Sequence, residues 1–260
     1  MSNPTETRYY LTGKIFIEGK IKALTGLHIG GSKSALDIGG IDLGVIKTAK
    51  NAVPFIPGSS LKGKLRTMLA REGGYRNVKE DNDAIKRIFG HSADEKDSSM
   101  EVPTKLLVRD AFLREDDFEK EFEDAELDFE YSEEKWENTI NRKTGTAEHP
   151  RQIERVPAGA MFDFQLVYNI YVTEDQSPKE TLEDLQLIRQ SMNMLKDDYL
   201  GGHGSRGYGR IEFKDVKATV RSMEDYKQAD VGETLLADDF LGSDIARDII
   251  PVKISAIAES

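Results

Sequence analysis

The stretch FDFQLVYNIYV (residues 162–172) places Phe162, Phe164, Leu166, Tyr168, Ile170 and Val172 on every second position. That is the two-residue period of a strand, whose successive side chains leave on opposite faces. It is the strongest strand signal in the chain. Working outward, Ile15, Ile17, Gly19, Ile21 and Ala23 alternate in the same way, as do Ile211, Phe213 and Val216 over 210–220, and 106–113 reads as a further strand. Two helical patterns lie between them. Leu61, Leu65, Met68 and Leu69 recur at helical spacing after Pro57-Gly58-Ser59-Ser60 and stop at Gly73-Gly74, with Ser59 or Ser60 the expected N-cap. Leu182, Leu185, Ile188, Met192 and Leu195 form a second stripe, opened by Pro178, and 83–89 reads as a short helix ended by Gly90. The order strand, helix, strand, then strand, helix, strand predicts an α+β sandwich of ferredoxin-like type with large insertions between its halves. After Ser222 the pattern weakens, and neither a repeat nor a clear linker divides the chain.

A length of 260 residues suits one large domain or a domain with sizeable insertions. No run of about 18 apolar residues exists, which argues against a membrane span, and the first residues lack the look of a secretory signal. With no cysteine there is no disulfide scaffold, thiol nucleophile or cysteine-based metal site, and a cytoplasmic location is expected. The net charge of −11 would argue against nucleic acid, but its distribution reverses that reading. Residues 115–137 hold thirteen Asp/Glu and two Lys, so the remaining residues sum to zero. Residues 8–76 carry twelve Lys/Arg against four acids. A phosphate backbone responds to the local field, not to the total. The plainer reading of either run is a solvated face.

Two near-motifs fail. Gly58-Ser-Ser-Leu-Lys-Gly63-Lys64-Leu65 approaches a phosphate-binding P-loop, but Leu65 stands where a hydroxyl must hold magnesium. Gly202-His-Gly204-Ser-Arg-Gly207 matches a dinucleotide fingerprint but follows a helix and precedes a strand, the wrong order. What survives is a helix start bearing Lys62, Lys64 and Arg66, suited to phosphate, and a glycine loop carrying Arg206 whose backbone can approach a ligand closely.

The four histidines, His28, His91, His149 and His203, all fall in loop-like surroundings and none pairs at i, i+4. They read as phosphate or base contacts sooner than as catalysts. Asp42 and Asp37 are the only acids between Glu18 and Glu72, in a glycine-rich loop of the most basic region. A carboxylate there stays ionised and can bind a divalent cation or accept a proton; the alternative is a turn residue between glycines.

Taken together, GLHIGG (26–31), GGIDLGVIK (39–47), PFIPGSSLKGKLR (54–66), ENTINRKTGTAEHPRQIERVPAG (137–159) and YLGGHGSRGYGRIEF (199–213) resemble the RAMP-superfamily backbone subunit of type III-A (Csm) CRISPR effector complexes, over roughly residues 14–220. The resemblance implies a ferredoxin-like, RRM-related palm over 8–222 with a protruding thumb hairpin at 137–158, into which this chain sets an acidic insert at 115–137. Residues 223–260 form a C-terminal extension, and the acidic insert and this tail have no evident counterpart in the family. It further implies CRISPR RNA and target RNA as ligands, other Csm subunits as neighbours, self-association into a filament, and no membrane. By position Asp42, not Asp37, would be the residue that cuts paired target RNA beside each flipped nucleotide, with a divalent cation (Mg2+ or Mn2+) held at Asp42. The expected RNA-binding residues are His28, Ser59, Ser60, Lys62, Lys64, Arg66, Arg142, Arg151, Gln152, Arg155, Gly204 and Arg206. Two rival readings are a non-catalytic RAMP scaffold and a guide-maturing RAMP endoribonuclease, for which His28 and His203 are the only support.

Overall fold

A computed structural model describes residues 8–31, 43–91, 103–172, 179–228 and 233–242. Its strands are β1 (Tyr10–Ala23), β2 (Phe55–Ile56), β3 (Leu106–Val108), β4 (Ala111–Leu113), β5 (Glu133–Ile140), β6 (Ala147–Arg155), β7 (Met161–Val172), β8 (Ile211–Ser222) and β9 (Thr234–Ala237). The helices are α1 (Gly58–Glu72), α2 (Asp83–Phe89), α3 (Glu115–Glu121), α4 (Lys179–Lys196) and α5 (Met223–Lys227).

The 162–172 pattern forms β7, which pairs antiparallel with β1 from Tyr10↔Val172 to Lys22↔Met161. On its other side β1 pairs with β8, giving the order β2-β4-β7-β1-β8-β9, with β3 also on β7. The alternation explains the core. Ile15, Ile17 and Ile21 of β1 and Phe162, Phe164, Leu166, Tyr168 and Ile170 of β7 are buried in one cluster with Leu61 and Leu65 of α1 and Ile188, Met192 and Leu195 of α4. Each such side chain contributes about 1.5–3 kcal/mol when fully removed from water.

Four local expectations change. The 106–113 segment is two short strands broken at Arg109-Asp110. The break has a purpose: the Gly58 N–H at the start of α1 donates to the Asp110 carboxylate at 2.7 Å. A carboxylate at the positive end of a helix does the work expected of a serine cap. Accordingly Pro57 is the N-cap, without a side-chain hydrogen bond, and Ser59 and Ser60 lie inside the helix. Gly58 is required by closeness, since a Cβ there would sit 2.2 Å from the Val108 carbonyl oxygen. The acidic run, expected as an insert distinct from the hairpin, forms α3 and a turn, and its last residues already belong to β5. Beyond Ser222, β9 pairs with β8 where no pattern announced it.

One buried polar network ties helices to sheet. Asp184 of α4, with no exposure, accepts hydrogen bonds from Arg87 at 2.6 Å and from the Tyr168 hydroxyl at 2.7 Å. Lys105, 1% exposed, lies 3.5 Å away. Burial, with Asp184 alongside, pushes the Tyr168 hydroxyl well above its ordinary pKa.

Candidate nucleic-acid interface

β5 and β6 form a two-stranded hairpin separate from the main sheet. Its foot is stitched to the first glycine-rich segment by bridges Leu27↔Val156 and Leu43↔Ile153, while Gly30↔Val45 closes that segment on itself. Glu154, 3% exposed, is the knot. One carboxylate oxygen accepts from the Val45 N–H at 2.9 Å; the other meets Lys47 Nζ at 2.5 Å and the Ser132 hydroxyl. The Glu154 backbone oxygen contacts His28 Nδ1 at 2.7 Å. His28 lies outside helix and strand as read, but it is buried. Asp42, one residue before Leu43, and Asp37 lie outside the described residues.

The second glycine loop closes over the same foot. The Gly202 N–H donates to the His28 carbonyl at 2.8 Å and the Gly209 N–H to that of Gly26 at 3.0 Å. Two of its glycines are required by the chain itself. Gly209 has φ +74° and a Cβ there would lie 2.1 Å from the Leu200 carbonyl oxygen; at Gly204 it would lie 2.0 Å from the Tyr199 ring. Gly209→Ala is expected to cost more than the ~1–3 kcal/mol of a strained backbone alone. Gly207→Ala, at φ +87° with open space around it, should cost only the left-handed strain, ~1–2 kcal/mol. Urea unfolding of the two variants measures the difference.

Around this foot the charged groups pair across elements. Arg206 meets Glu137 at 2.8 Å and Arg155 meets Glu133 at 2.7 Å. Arg155 and Lys135 also lie over the Tyr208 ring, at 5.3 and 4.5 Å from its centroid. The buried Tyr208 hydroxyl faces Glu137 outside ordinary hydrogen-bond geometry; burial and that carboxylate push it up to about 12. His203, at φ +59°, is 5.3 Å from the His28 ring and 5.5 Å from Tyr208. Burial first, then His28, lowers its pKa below 6.5, with Glu137 opposing. The fold thus disfavours the imidazolium. Stability linked to His203 is present above the unfolded pKa of about 6.5 and is lost as pH falls toward the folded value. An NMR titration should show His203 protonating below 6.5, and a midpoint at or above that value overturns this.

The cations of α1 divide. Lys64 pairs with Asp198 at 3.2 Å and lies 3.7 Å over the Tyr199 ring, and Arg66 pairs with Asp81 at 2.6 Å. Both therefore hold the helix to the fold. Lys62 has a pKa lowered by burial and then by Arg66. On the hairpin, Arg142 and Arg151 are exposed, whereas Gln152 bonds Glu134 at 3.3 Å. Sequence reading missed Glu154, Glu137, Tyr208 and Asp198, all supporting groups. Glu154 sits in the quoted PRQIERV stretch, but a buried acid between Ile and Arg carries no local mark.

Residues 20–212 match the family model described as the RAMP superfamily. The chain belongs to the RAMP superfamily. It is 44% identical to "CRISPR system Cms endoribonuclease Csm3" of Streptococcus thermophilus, over 80% of this chain and 90% of the relative. The protein of the same name from Methanocaldococcus jannaschii is 41% identical, over 84% and 85%. Among solved structures, "Crystal structure of Csm3-Csm4 subcomplex in the type III-A CRISPR-Cas interference complex" matches with TM-score 0.55 and 27% identity, covering 96% of this chain and 98% of that one. The family match ends within β8, so β9 lies beyond it.

Proposed function

We propose that the chain is the backbone subunit of a type III-A CRISPR interference complex, holding guide RNA and cutting the paired target RNA at Asp42. The observation that carries this is the roughly 40% identity to proteins named Csm3 endoribonucleases over most of both chains. The geometry supports it: both glycine segments and the hairpin foot converge, with exposed Arg142, Arg151 and Arg206 around them. The strand order β8-β1-β7-β4, with α1 and α4 packed in the core beside it, supports a ferredoxin-like palm over 8–222. The β5–β6 hairpin then serves as thumb, and the subunit repeats as a filament in the cytoplasm beside other Csm subunits. No described helix is long and apolar enough to cross a membrane.

Asp42 supplies the ionised carboxylate beside the scissile phosphate, where it can accept the 2′-hydroxyl proton. Among the described residues no group of three or more His, Asp or Glu side chains could hold a metal ion. A Mg2+ or Mn2+ at Asp42 would complete its shell with water and phosphate oxygens, as hard cations do. Such an ion supplies charge neutralisation at the phosphate. The chain's own contribution is position: cations fix the sugar–phosphate backbone without reading bases.

The test is a complex reconstituted with guide RNA and given matched target. Regularly spaced cuts that stop in EDTA are expected, with log affinity falling by about 0.7 per phosphate contact against log salt. Unspaced cutting overturns the reading. The guide-maturing alternative draws on the contact between the His28 and His203 rings. It requires the isolated protein to cut repeat RNA in EDTA, which the leading reading forbids.

A further inference from the structure

The acidic run has a built interior that the RNA reading leaves unused. α3 and the turn after it enclose an open groove of roughly 490 Å3 walled by Phe118, Phe122, Phe129 and Tyr131. Phe118 and Phe122 pack ring to ring at 4.3 Å, and Phe118 meets Tyr131 edge-on at 5.5 Å. The scaffold beneath is fixed: Arg114 is held by Asp117 and by Asp163 at 3.0 Å, and the Tyr131 hydroxyl donates to Glu115 at 3.1 Å. Phe122 and Phe129 are only half-buried, so apolar ring surface faces solvent.

The rim of the groove is negative. Glu119 and Glu130 line it, and among the described residues neither has a cation within ion-pairing distance. They stand in a segment with thirteen acids against two lysines. Phosphate is repelled by such a field. Aromatic faces ringed by carboxylates select a cation with a planar, weakly hydrated head, which stacks on the ring while its N–H groups meet the acids. Lys47 Nζ, held by Glu154, already lies 5.5 Å over the Phe129 ring, which leaves Phe122 as the half-buried ring of the groove open to a further cation.

We propose that this groove is a docking site for a basic segment of another polypeptide, in which arginines seat over the Phe122 ring and against Glu119 and Glu130 while neighbouring apolar side chains fill the aromatic trough. Both features have to be matched at once, since carboxylates alone would take any cation and rings alone any apolar chain.

The test uses the full chain and a fluorescently labelled ten-residue peptide of alternating Arg and Leu, read by fluorescence anisotropy against an Arg/Gly peptide of equal charge. The Arg/Leu peptide is expected to bind about tenfold tighter than the Arg/Gly one. Glu119→Gln with Glu130→Gln should weaken Arg/Leu binding about tenfold and leave single-stranded RNA affinity unchanged. Phe122→Ala should bring the two peptides level; should that variant melt early, the two glutamine changes decide the matter. Equal binding of both peptides, or no response to the glutamine changes, overturns the proposal. So does RNA binding that weakens in the glutamine variant. A concentration-dependent dimer in sedimentation, abolished by those changes, would make a second copy the occupant and overturn the proposal as well.

Discussion

Asp184→Asn unfolds with a stability lower by about 3–5 kcal/mol, the cost of breaking a buried ionic network by removing one partner. The reason is that Asp184 is the shared acceptor. Arg87 makes two of its donor groups' bonds there, the Tyr168 hydroxyl a third, and Lys105 approaches from β3's leading edge. Asparagine keeps the volume but withdraws the charge, leaving two cations facing a group that no longer offsets them. Glu180, the other carboxylate in reach, is 37% exposed and 3.4 Å from Lys105, too wet to replace it. The loss corresponds to roughly 6–20 °C in melting temperature for a chain of this size. Chemical unfolding gives the number, with Glu180→Gln as the companion expected to cost under about 1 kcal/mol. If both variants lose equally little, the network does not hold α2, α4 and the sheet together.

The main antiparallel sheet was legible because its signals are local. β7 and β1 show two-residue alternation, and burial follows it residue by residue at Ile15, Ile17, Phe162 and Phe164. α1 and α2 end at glycines as read, and Asn82 caps α2 through the Ile85 N–H. What failed depended on distant partners. Ser59 and Ser60 looked like caps, but Asp110, fifty residues away in sequence, arrives at the helix start through the break between β3 and β4. β9 borrows its pairing from β8 and has no period of its own to announce it.

The candidate site divides along the same line. Gly201 to Gly209 read as a loop adapted to a ligand, and Gly201, Gly204 and Gly209 are explained by closeness to His28, Tyr199 and Leu200 of the same chain, while Gly207 faces open space. His28 read as a loop histidine, yet the foot of the hairpin closes over it. Lys64 and Arg66 read as free cations, yet Lys64 has its carboxylate partner far along the chain in Asp198 and Arg66 has one in Asp81, beyond the end of its own helix. A charge's partner is invisible to a local reading: Arg206 too is paired, with Glu137, whereas Arg142 and Arg151 on the hairpin are exposed.

Asp42→Ala in the reconstituted complex is expected to slow target cutting by about 10²–10⁴-fold, the contribution of a positioned proton acceptor. Guide binding should change little, because removing an acid deletes no phosphate contact and leaves the salt slope intact. The framework for this is already built at the adjacent residue. The Leu43 carbonyl accepts from the Glu154 N–H at 3.0 Å, and Val45 is held by the Glu154 carboxylate. The chain leaving Leu43 is thus tied to the same hairpin that carries the exposed Arg142 and Arg151. Positioning of this kind can account for up to ~7–11 kcal/mol of a barrier, so residual cutting above the uncatalysed rate is expected in the variant. Asp37→Ala is the control and should cut normally. Spaced cutting at full rate by Asp42→Ala would remove it from the chemistry. Loss of guide binding together with cutting would make Asp42 a structural residue of the loop, with the catalytic group still to be found among the neighbours of the hairpin foot.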